Sequence, residues 1–529
     1  MLSTEVPYSR RLLQCCCAIF WCLLSGGPIF GFAALKPILV VEHVYEGVCD
    51  ISINSTVSNS MSGTINTIAS VASYATDSSP TSFTNFLLTN AFSIQSSSTI
   101  TKCTEQDLKL NFMFTVGAML TNVSALAIGR VLDVYGPKVC GLIGAFFLYV
   151  ACFVFIYAKD LEGTIVDPYL TGYALLALGG PFAYISSFQL SNSFPKKSGL
   201  ILALITGAFD ASSAVFLIYK VFYQKTNGAF TLAKFFKLYL LVPLFITAVQ
   251  FTVMPSSSYS TDSNLCIDDE PEVPESTSTP TEHAPLLMAR RDSIGDALKQ
   301  PYVQEGEETL IQNSGGVFGI LHGHSAEFQL KTPWFYLACM FSTICMMRLN
   351  YFVATIASQY TYLLGSVSEA ERLNKIFDIV LPLGGVISIP FVGMFIDNCS
   401  TVAVLTGTLA ISLAIGVLGL FGYFWTGLAN VALFVAYRPL FYTFVSDFCA
   451  KVFGFETFGT VYGSIICISG LFNIFQSYFD KLTHSTFKMN PIPINLVLVS
   501  LTAVIGVTTV IYVKIQAASY NERKNRVLR

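Results

Sequence analysis

Charge is what this 529-residue chain has least of. Only 12% of its residues are charged and 53% are hydrophobic, with a mean hydropathy of +0.60, whereas soluble domains carry about a quarter charged residues. The composition excludes a large soluble fold and indicates a protein that crosses a membrane many times. The net charge of −3 gives no reason to expect a nucleic-acid partner.

Metal ligands and nucleotide-binding motifs are also missing. The chain has five histidines, no histidine cluster and no Cys-x-x-Cys pair, which excludes the common metal sites. It has no Gly-x-x-x-x-Gly-Lys-Ser/Thr loop for phosphate, which argues against an ATP-driven pump. The 14 cysteines lie mostly inside apolar runs, where they act as small hydrophobic residues. We expect no cofactor and no enzymatic activity.

Long apolar runs, in contrast, are abundant. A membrane-spanning helix needs about 20 mostly apolar residues. Twelve such segments can be placed, at 12–34, 111–131, 139–158, 170–190, 199–220, 234–254, 334–356, 376–396, 401–423, 427–447, 459–478 and 491–513. The sequence therefore predicts an all-α membrane protein with twelve transmembrane helices in two pseudo-repeated six-helix bundles.

Two long polar stretches interrupt this pattern. Residues 255–330 are rich in Ser, Thr, Pro and Glu and are predicted to be a disordered linker between an N-terminal bundle, 1–254, and a C-terminal bundle, 331–529. The Lys and Arg residues near the segment ends place both termini and this linker in the cytosol. The other stretch, 43–108, then forms a long loop on the opposite side.

Both stretches contain predicted modification or sorting sites. Asn54 begins a glycosylation sequon in the long loop, and Cys49 and Cys103 bracket that loop, either as a disulfide or as two free thiols. In the linker, Ser293 follows a pair of arginines as a kinase site. An acidic dileucine signal, typical of vacuolar or lysosomal proteins, is formed by Glu282, Leu286 and Leu287. The sequence favours a vacuolar or lysosomal membrane over the plasma membrane, with sorting adaptors as partners.

A polar turn separates the second and third segments. Its sequence is Gly129-Arg-Val-Leu-Asp133-Val-Tyr-Gly136-Pro-Lys138, and the eighth segment ends on a weaker copy, Gly393-Met-Phe-Ile-Asp397-Asn. An aspartate here can accept hydrogen bonds from a neighbouring helix N-terminus or pair with Arg130. Because halves of transporters repeat, the pattern predicts two gating sites. Their residues are Gly129, Asp133, Gly136 and Lys138 in the first half, and Gly393 and Asp397 in the second.

The first turn resembles the signature loop of the major facilitator superfamily, although Val134 stands where a basic residue is usual. Its Gly-Pro-Lys ending resembles the same part of this loop in solute carrier family 43, which comprises the sodium-independent L-type neutral amino-acid transporters. The resemblance is to a fungal member of that branch and extends to Leu35-Lys36, Tyr45–Cys49, Ser186–Pro195, Ala211–Ala214, Arg348 and Tyr437-Arg438. It implies facilitative uniport of neutral amino acids. The branch also includes a carrier of purine nucleobases.

Three ionisable residues lie deep in predicted segments, namely Asp210, Arg348 and Arg438. A charge at the bilayer centre costs at least about 2.5–3.5 kcal/mol, so each must face a cavity or a partner. Either arginine can bind a substrate carboxylate through its fork of donors. Asp210 can receive an ammonium group, carry a coupling proton, or form a structural pair with an arginine.

The superfamily resemblance implies that the first, fourth, seventh and tenth segments line a central cavity. Gly and Pro also interrupt the first segment, which is tolerated where a cavity or a neighbour satisfies the backbone. The candidate lining residues are Gly26, Gly27, Tyr184, Gln189, Asn350 and Tyr442. Ordinary helix packing is the alternative explanation for each of them.

These features together predict a secondary transporter that moves a small polar solute, foremost neutral amino acids, by alternating access. Nucleobase transport and proton-coupled amino-acid export are the alternatives within transport. A solute sensor that does not transport, and that signals through the 255–330 linker, is the alternative of another class.

Overall fold

The computed structural model describes residues 6–48, 104–163, 166–259 and 314–527, and helices occupy each of the twelve predicted segments. The main helices are numbered here in chain order: α1 (Tyr8–Ser25), α2 (Phe32–Val41), α3 (Thr104–Ile156), α4 (Pro168–Ile185), α5 (Ser198–Ala211), α6 (Ala214–Lys225), α7 (Leu232–Tyr239), α8 (Leu241–Thr252), α9 (Ala326–Leu330), α10 (Pro333–Leu364), α11 (Val367–Asn398), α12 (Thr401–Leu418), α13 (Phe424–Phe453), α14 (Phe458–Phe472), α15 (Phe475–Ser485) and α16 (Ile492–Val527).

Several predicted segments are built from two helices or from part of a longer one. Within the described ranges, seven helices are long and apolar enough to cross a membrane, or eight if one bent pair counts as a single span. That bent pair is α1 and α2, which a 3-10 turn at Pro28–Gly31 separates with a bend of 40°. The predicted interruption of the first segment by Gly and Pro is therefore confirmed.

The chain falls into two units, of which one comprises Met1–Leu35 and Met113–Arg529 and the other Lys36–Phe112. The larger unit contains helices of both halves, because α5 packs along α11 and α13. We call residues up to 259 the N-terminal half and residues from 314 the C-terminal half. Inside the smaller unit, the Lys36 ammonium donates a hydrogen bond of 2.8 Å to the Asn111 side chain.

The predicted linker is packed at both of its described ends. Tyr259 and Val317 are fully buried, and Gln329 of the short helix α9 has no exposed surface. Residues 255–259 and 314–330 therefore belong to the folded protein, which corrects the linker boundaries. The average composition of the stretch hid these few residues, because one buried ring or amide is enough to fix a short segment.

Candidate functional site

The Gly129–Lys138 turn contains a kink that divides α3 into two helical parts. Gly136 is the one residue inside α3 described with non-helical dihedral angles, at φ 82° and ψ 172°, and Pro137 follows it. Only glycine adopts this conformation readily, so Gly136 sets the turn. The Lys138 ammonium lies over the ring of Phe251, 5.3 Å from its centroid. The predicted turn is confirmed.

The Asp133 carboxylate bridges the two halves. Its Oδ1 accepts from the backbone N–H of Gly459 at 2.8 Å, and its Oδ2 accepts from Thr460 at 2.6 Å. Both donors are free N–H groups in the first turn of α14, where the helix dipole favours an anion. A side chain at Gly129 would collide with the carbonyl oxygen of Gly459, so glycine is required for this approach.

The Asp397 carboxylate makes the same contact with the halves exchanged. Its Oδ1 accepts from the backbone N–H of Gly199 at 2.8 Å, and its Oδ2 accepts from Leu200 at 3.1 Å. These donors form the first turn of α5. A Cβ atom at Gly393 would lie 2.7 Å from the Cα of Leu200, so the second contact also depends on a glycine.

Neither α5 nor α14 has a side-chain cap of its own. Other helices carry local caps: Asp167 caps α4, Thr332 caps α10 and Ser400 caps α12. Asp133 and Asp397 thus supply, from the opposite half, what these helices lack. We call them the capping aspartates. Of the two partners predicted for Asp133, the helix N-terminus is observed; Arg130 is exposed, and no ion pair joins the two in the described residues.

A buried ion pair lies beside the second capping aspartate. The Lys451 ammonium is 2.7 Å from the Asp447 carboxylate, and their side chains are 7% and 3% exposed. Both charges act on Asp397, Asp447 by repulsion and Lys451 by attraction. In the described part of the chain, Asp133 interacts with hydrogen-bond donors and not with a charged pair of this kind.

A second charged contact joins the halves far from the capping aspartates. The Arg438 Nη2 lies 3.3 Å from the Asp210 Oδ1, with 25% and 11% of the two side chains exposed. Arg438 lies midway along the 30-residue α13. Asp210 lies about 18 Å from the start of α5, at 1.5 Å per residue. The Tyr442 hydroxyl lies against the Arg438 guanidinium. The pair is therefore a mid-depth contact that retains access to solvent.

Aromatic rings fill the space between these two levels. The ring of Tyr184 lies 4.7 Å from Phe188, and Phe188 lies 5.2 Å from Tyr462 and 5.6 Å from Phe458. Tyr184 and Phe188 belong to the N-terminal half, and Phe458 and Tyr462 to α14. We call these four residues the aromatic layer. It packs the halves together between the Asp133 contact and the Asp210–Arg438 pair.

The predicted lining residues do not all lie at this pair. Gly26 and Gly27 pack against Phe209, the neighbour of Asp210, and the Gly27 N–H donates to the Ser212 hydroxyl at 2.7 Å. Tyr184 also contacts Phe209, with ring centroids 4.5 Å apart. Asn350 is half-buried on α10.

Two predicted binding residues lie elsewhere. Arg348 points into the C-terminal half, where it bonds to Ser412 and Thr502. Gln189 binds the chain after α8, because its carbonyl accepts from the backbone N–H of Tyr259 at 3.0 Å. The structure thus brings Asp210, Arg438, Tyr442 and Tyr184 together and leaves Arg348 and Gln189 apart from them.

The described ends of the linker dock next to the N-termini of α5 and α14. Before α5, the Tyr259 hydroxyl donates to Gln14 at 2.7 Å, and the Asn192 amide donates to the Tyr259 carbonyl at 3.0 Å. Before α14, the Gln329 amide donates to the Phe453 carbonyl at 2.9 Å and accepts from Thr457 at 2.6 Å. Each end of the linker therefore contacts the loop that positions one of these N-termini.

Which helices the two aspartates cap, and the docking of the linker ends, were not predicted from the sequence. A signal for α14 was present, since Thr457 precedes a long apolar run as an N-terminal residue would. The i, i+4 spacing of Asp447 and Lys451 was a second signal. Some predicted sites lie outside the described residues: Asn54, Cys49, Cys103, Glu282, Leu286, Leu287 and Ser293.

No family model matches the chain. A double-tryptophan variant of XylE, described as a major facilitator superfamily proton:xylose symporter, superposes with a TM-score of 0.58 at 14% identity, over 97% of this chain and 99% of that one. Protein FMP42 of Saccharomyces cerevisiae is 45% identical over 98% of this chain and 96% of its own length. The chain belongs to the same family as Protein FMP42 and has the fold of the major facilitator superfamily. Its fold is the all-helical fold expected from the sequence.

A more distant relative carries a functional name. Equilibrative nucleobase transporter 1 of Bos taurus is 22% identical over 95% of both chains. The apolar helices and the fold make this chain a multi-pass membrane protein.

Proposed function

We propose that this superfamily member carries neutral amino acids by alternating access, as a facilitative uniporter. The observation that carries the proposal is the Asp210–Arg438 pair, which joins the two halves at mid-depth and stays partly exposed. A zwitterionic amino acid offers one carboxylate and one ammonium group. Arg438 would bind the carboxylate through its donor fork, and Asp210 would receive the ammonium group.

The capping aspartates act as the gate in this proposal. In the conformation described, the carboxylates of Asp133 and Asp397 hold the halves together at one face, and the aromatic layer packs above the Asp133 contact. Opening that face breaks both contacts and leaves the first turns of α5 and α14 without caps. Substrate binding at the Asp210–Arg438 pair must offset that loss for the halves to separate.

We place this face in the cytosol, with both termini, and the protein in a vacuolar or lysosomal-type membrane. The basic residues near segment ends and the dileucine pattern at Glu282, Leu286 and Leu287 support this arrangement. Adaptors would bind that pattern, and phosphorylation of Ser293 would change the charge of the same loop.

Nucleobase transport is the second candidate. The aromatic rings of Tyr184 and Phe209 next to Asp210 favour it, because a planar base stacks on such rings. The full-length similarity to an equilibrative nucleobase transporter also supports it.

Counterflow in proteoliposomes tests both candidates. Vesicles preloaded with unlabelled solute should accumulate labelled leucine and phenylalanine, equally with and without a pH gradient, and should not accumulate labelled adenine. Arg438→Lys keeps the charge but loses the planar fork, so it should lower leucine exchange at least about tenfold. The control Arg372→Lys changes an exposed arginine at the start of α11 and should exchange normally.

The outcomes separate the candidates. Adenine exchange without leucine exchange would establish the second candidate and reject the first. Leucine binding with no exchange of any solute would indicate a sensor. A requirement for a pH gradient would reject uniport in favour of proton-coupled export.

A further inference from the structure

A cavity of about 40 Å³ with both polar and apolar walls lies in the C-terminal half, between α10, α12, α13 and α16. All of its lining residues belong to that half, so it is separate from the Asp210–Arg438 pair. Its polar walls include Arg348, Ser412, Asn430 and Tyr437. Arg348 is half-buried at the wall of this cavity, where a charged group needs a partner.

Arg348 has only neutral partners in this cavity. Its Nη1 donates to the hydroxyls of Ser412 at 2.8 Å and Thr502 at 3.1 Å, and its Nη2 donates to the Ser412 carbonyl at 2.9 Å. Among the side chains that the structure describes, no carboxylate forms an ion pair with it. Arginine does not lose its proton in proteins, so the charge persists. A partly buried charge without a counter-ion is unfavourable, and the cavity leaves room for an anion beside it.

The surrounding groups supply room and further donors. Gly416 faces the guanidinium so closely that a Cβ there would lie 2.6 Å from the Arg348 Nη2. The buried Tyr437 hydroxyl makes no hydrogen bond of ordinary geometry. One end of the Asn430 amide contacts the Tyr360 hydroxyl, and the other end has no partner. If Tyr360 donates to the amide oxygen, the Asn430 NH₂ group faces the cavity.

We propose that this cavity binds a small inorganic anion of halide size, held by Arg348 with Tyr437 and Asn430. The cavity has room for a group larger than one water molecule. The anion neutralises Arg348 and stabilises the packing of α10 against α12 and α16. The site is structural or regulatory and lies behind the transport pathway.

Thermal unfolding of the full-length protein in lipid nanodiscs tests the site. Sodium chloride and sodium bromide are compared with sodium gluconate, whose anion is too large, at one ionic strength. Both halides should raise Tm in a saturable way. Arg348→Gln should need at least about tenfold more bromide for half of the effect. The control Arg372→Gln should respond like the original protein.

A second variant keeps the test decisive if Arg348→Gln does not fold. Ser412→Asp introduces a carboxylate beside the Arg348 Nη1, so the protein supplies its own anion. It should be more stable than the original chain in gluconate, and halides should no longer raise its Tm. In a crystal grown with bromide, an anomalous peak should lie within hydrogen-bond distance of Arg348.

Several results would overturn the proposal. One is an original protein with the same Tm in chloride and gluconate. Another is a Ser412→Asp protein that is less stable than the original in gluconate, or that fails to fold there. If leucine, but no halide, raises Tm through Arg348, the residue binds a substrate carboxylate and the small-anion site is wrong. None of these readouts depends on transport, so the proposed function is tested separately.

Discussion

The two capping aspartates occupy equivalent positions in the two halves but have different surroundings. The Asp133 carboxylate accepts two backbone hydrogen bonds of 2.8 and 2.6 Å, and next to it the backbone of Gly129 contacts the backbone of Gly459. Asp397 accepts at 2.8 and 3.1 Å and lies beside the buried Lys451–Asp447 pair. The second copy retains little of the signature sequence, yet it makes the same pair of backbone bonds.

This comparison indicates what the contact needs. A carboxylate, a nearby glycine and a helix that lacks its own cap are common to both copies. The basic residue that usually follows the aspartate is absent at Val134, and the exposed Val134 side chain takes no part in the bonds of Asp133. The helix N-terminus, rather than the full signature, therefore defines the contact.

Removing the buried ion pair should have the largest effect and should affect only the second copy. Lys451→Met leaves Asp447 buried without its partner, which costs about 3–5 kcal/mol of folding free energy. The uncompensated charge also repels Asp397. Thermal unfolding measures the loss, with the exposed Lys331→Met as control. The double variant Asp447→Asn/Lys451→Met should recover most of the stability, and a failure to recover would contradict the pairing.

Replacing each capping aspartate tests whether the two contacts are equal. Asn keeps the shape but loses the charge and one acceptor, so Asp133→Asn and Asp397→Asn should each weaken the closed conformation by about 1.5–3 kcal/mol. Counterflow should fall by a similar factor in both. Asp167→Asn is the matched control, because Asp167 caps α4 within one half; it should leave exchange unchanged.

A much larger loss of counterflow in Asp133→Asn than in Asp397→Asn would contradict the equivalence of the two contacts. The signature sequence around Asp133 would then matter beyond the hydrogen bonds that both copies share.

The docked linker ends should give the smallest effects, and unequal ones. Gln329→Leu leaves two backbone carbonyls without a donor, which should lower the free energy of unfolding by about 1–3 kcal/mol. Tyr259→Phe removes one hydrogen bond to Gln14, which should lower the free energy of unfolding by about 1 kcal/mol. Thermal unfolding distinguishes them, with the exposed Tyr423→Phe as control. A larger loss for Tyr259→Phe would show that the N-terminal dock is the stronger.

Much of this architecture could be predicted from local pattern. The apolar runs predicted the positions of the helices. Gly and Pro residues predicted the break between α1 and α2, and the Gly-Pro pair predicted the turn at Gly136. The bond of Asp133 to a helix N-terminus was one of two predicted partners. All of these depend on neighbours in sequence or on one general property of helix ends.

The contacts across long sequence separations could not be predicted. Nothing local distinguishes Arg438, which pairs with Asp210, from Arg348, which lies in a cavity of the C-terminal half. The choice depends on which helices pack together, and both arginines lie deep in apolar segments. The burial of Tyr259 likewise depends on Gln14 and Asn192, which are far away along the chain.

The distance between the halves at the capping aspartates tests the central claim most directly. Spin labels at exposed Tyr135 and Glu456, in a chain without the accessible Cys16, Cys17 and Cys399, report on this face by double electron–electron resonance. The original protein without substrate should give mainly one short distance. In Asp133→Asn/Asp397→Asn a longer distance should dominate. An unchanged distance distribution in that variant would contradict the assignment of the two aspartates as the gate.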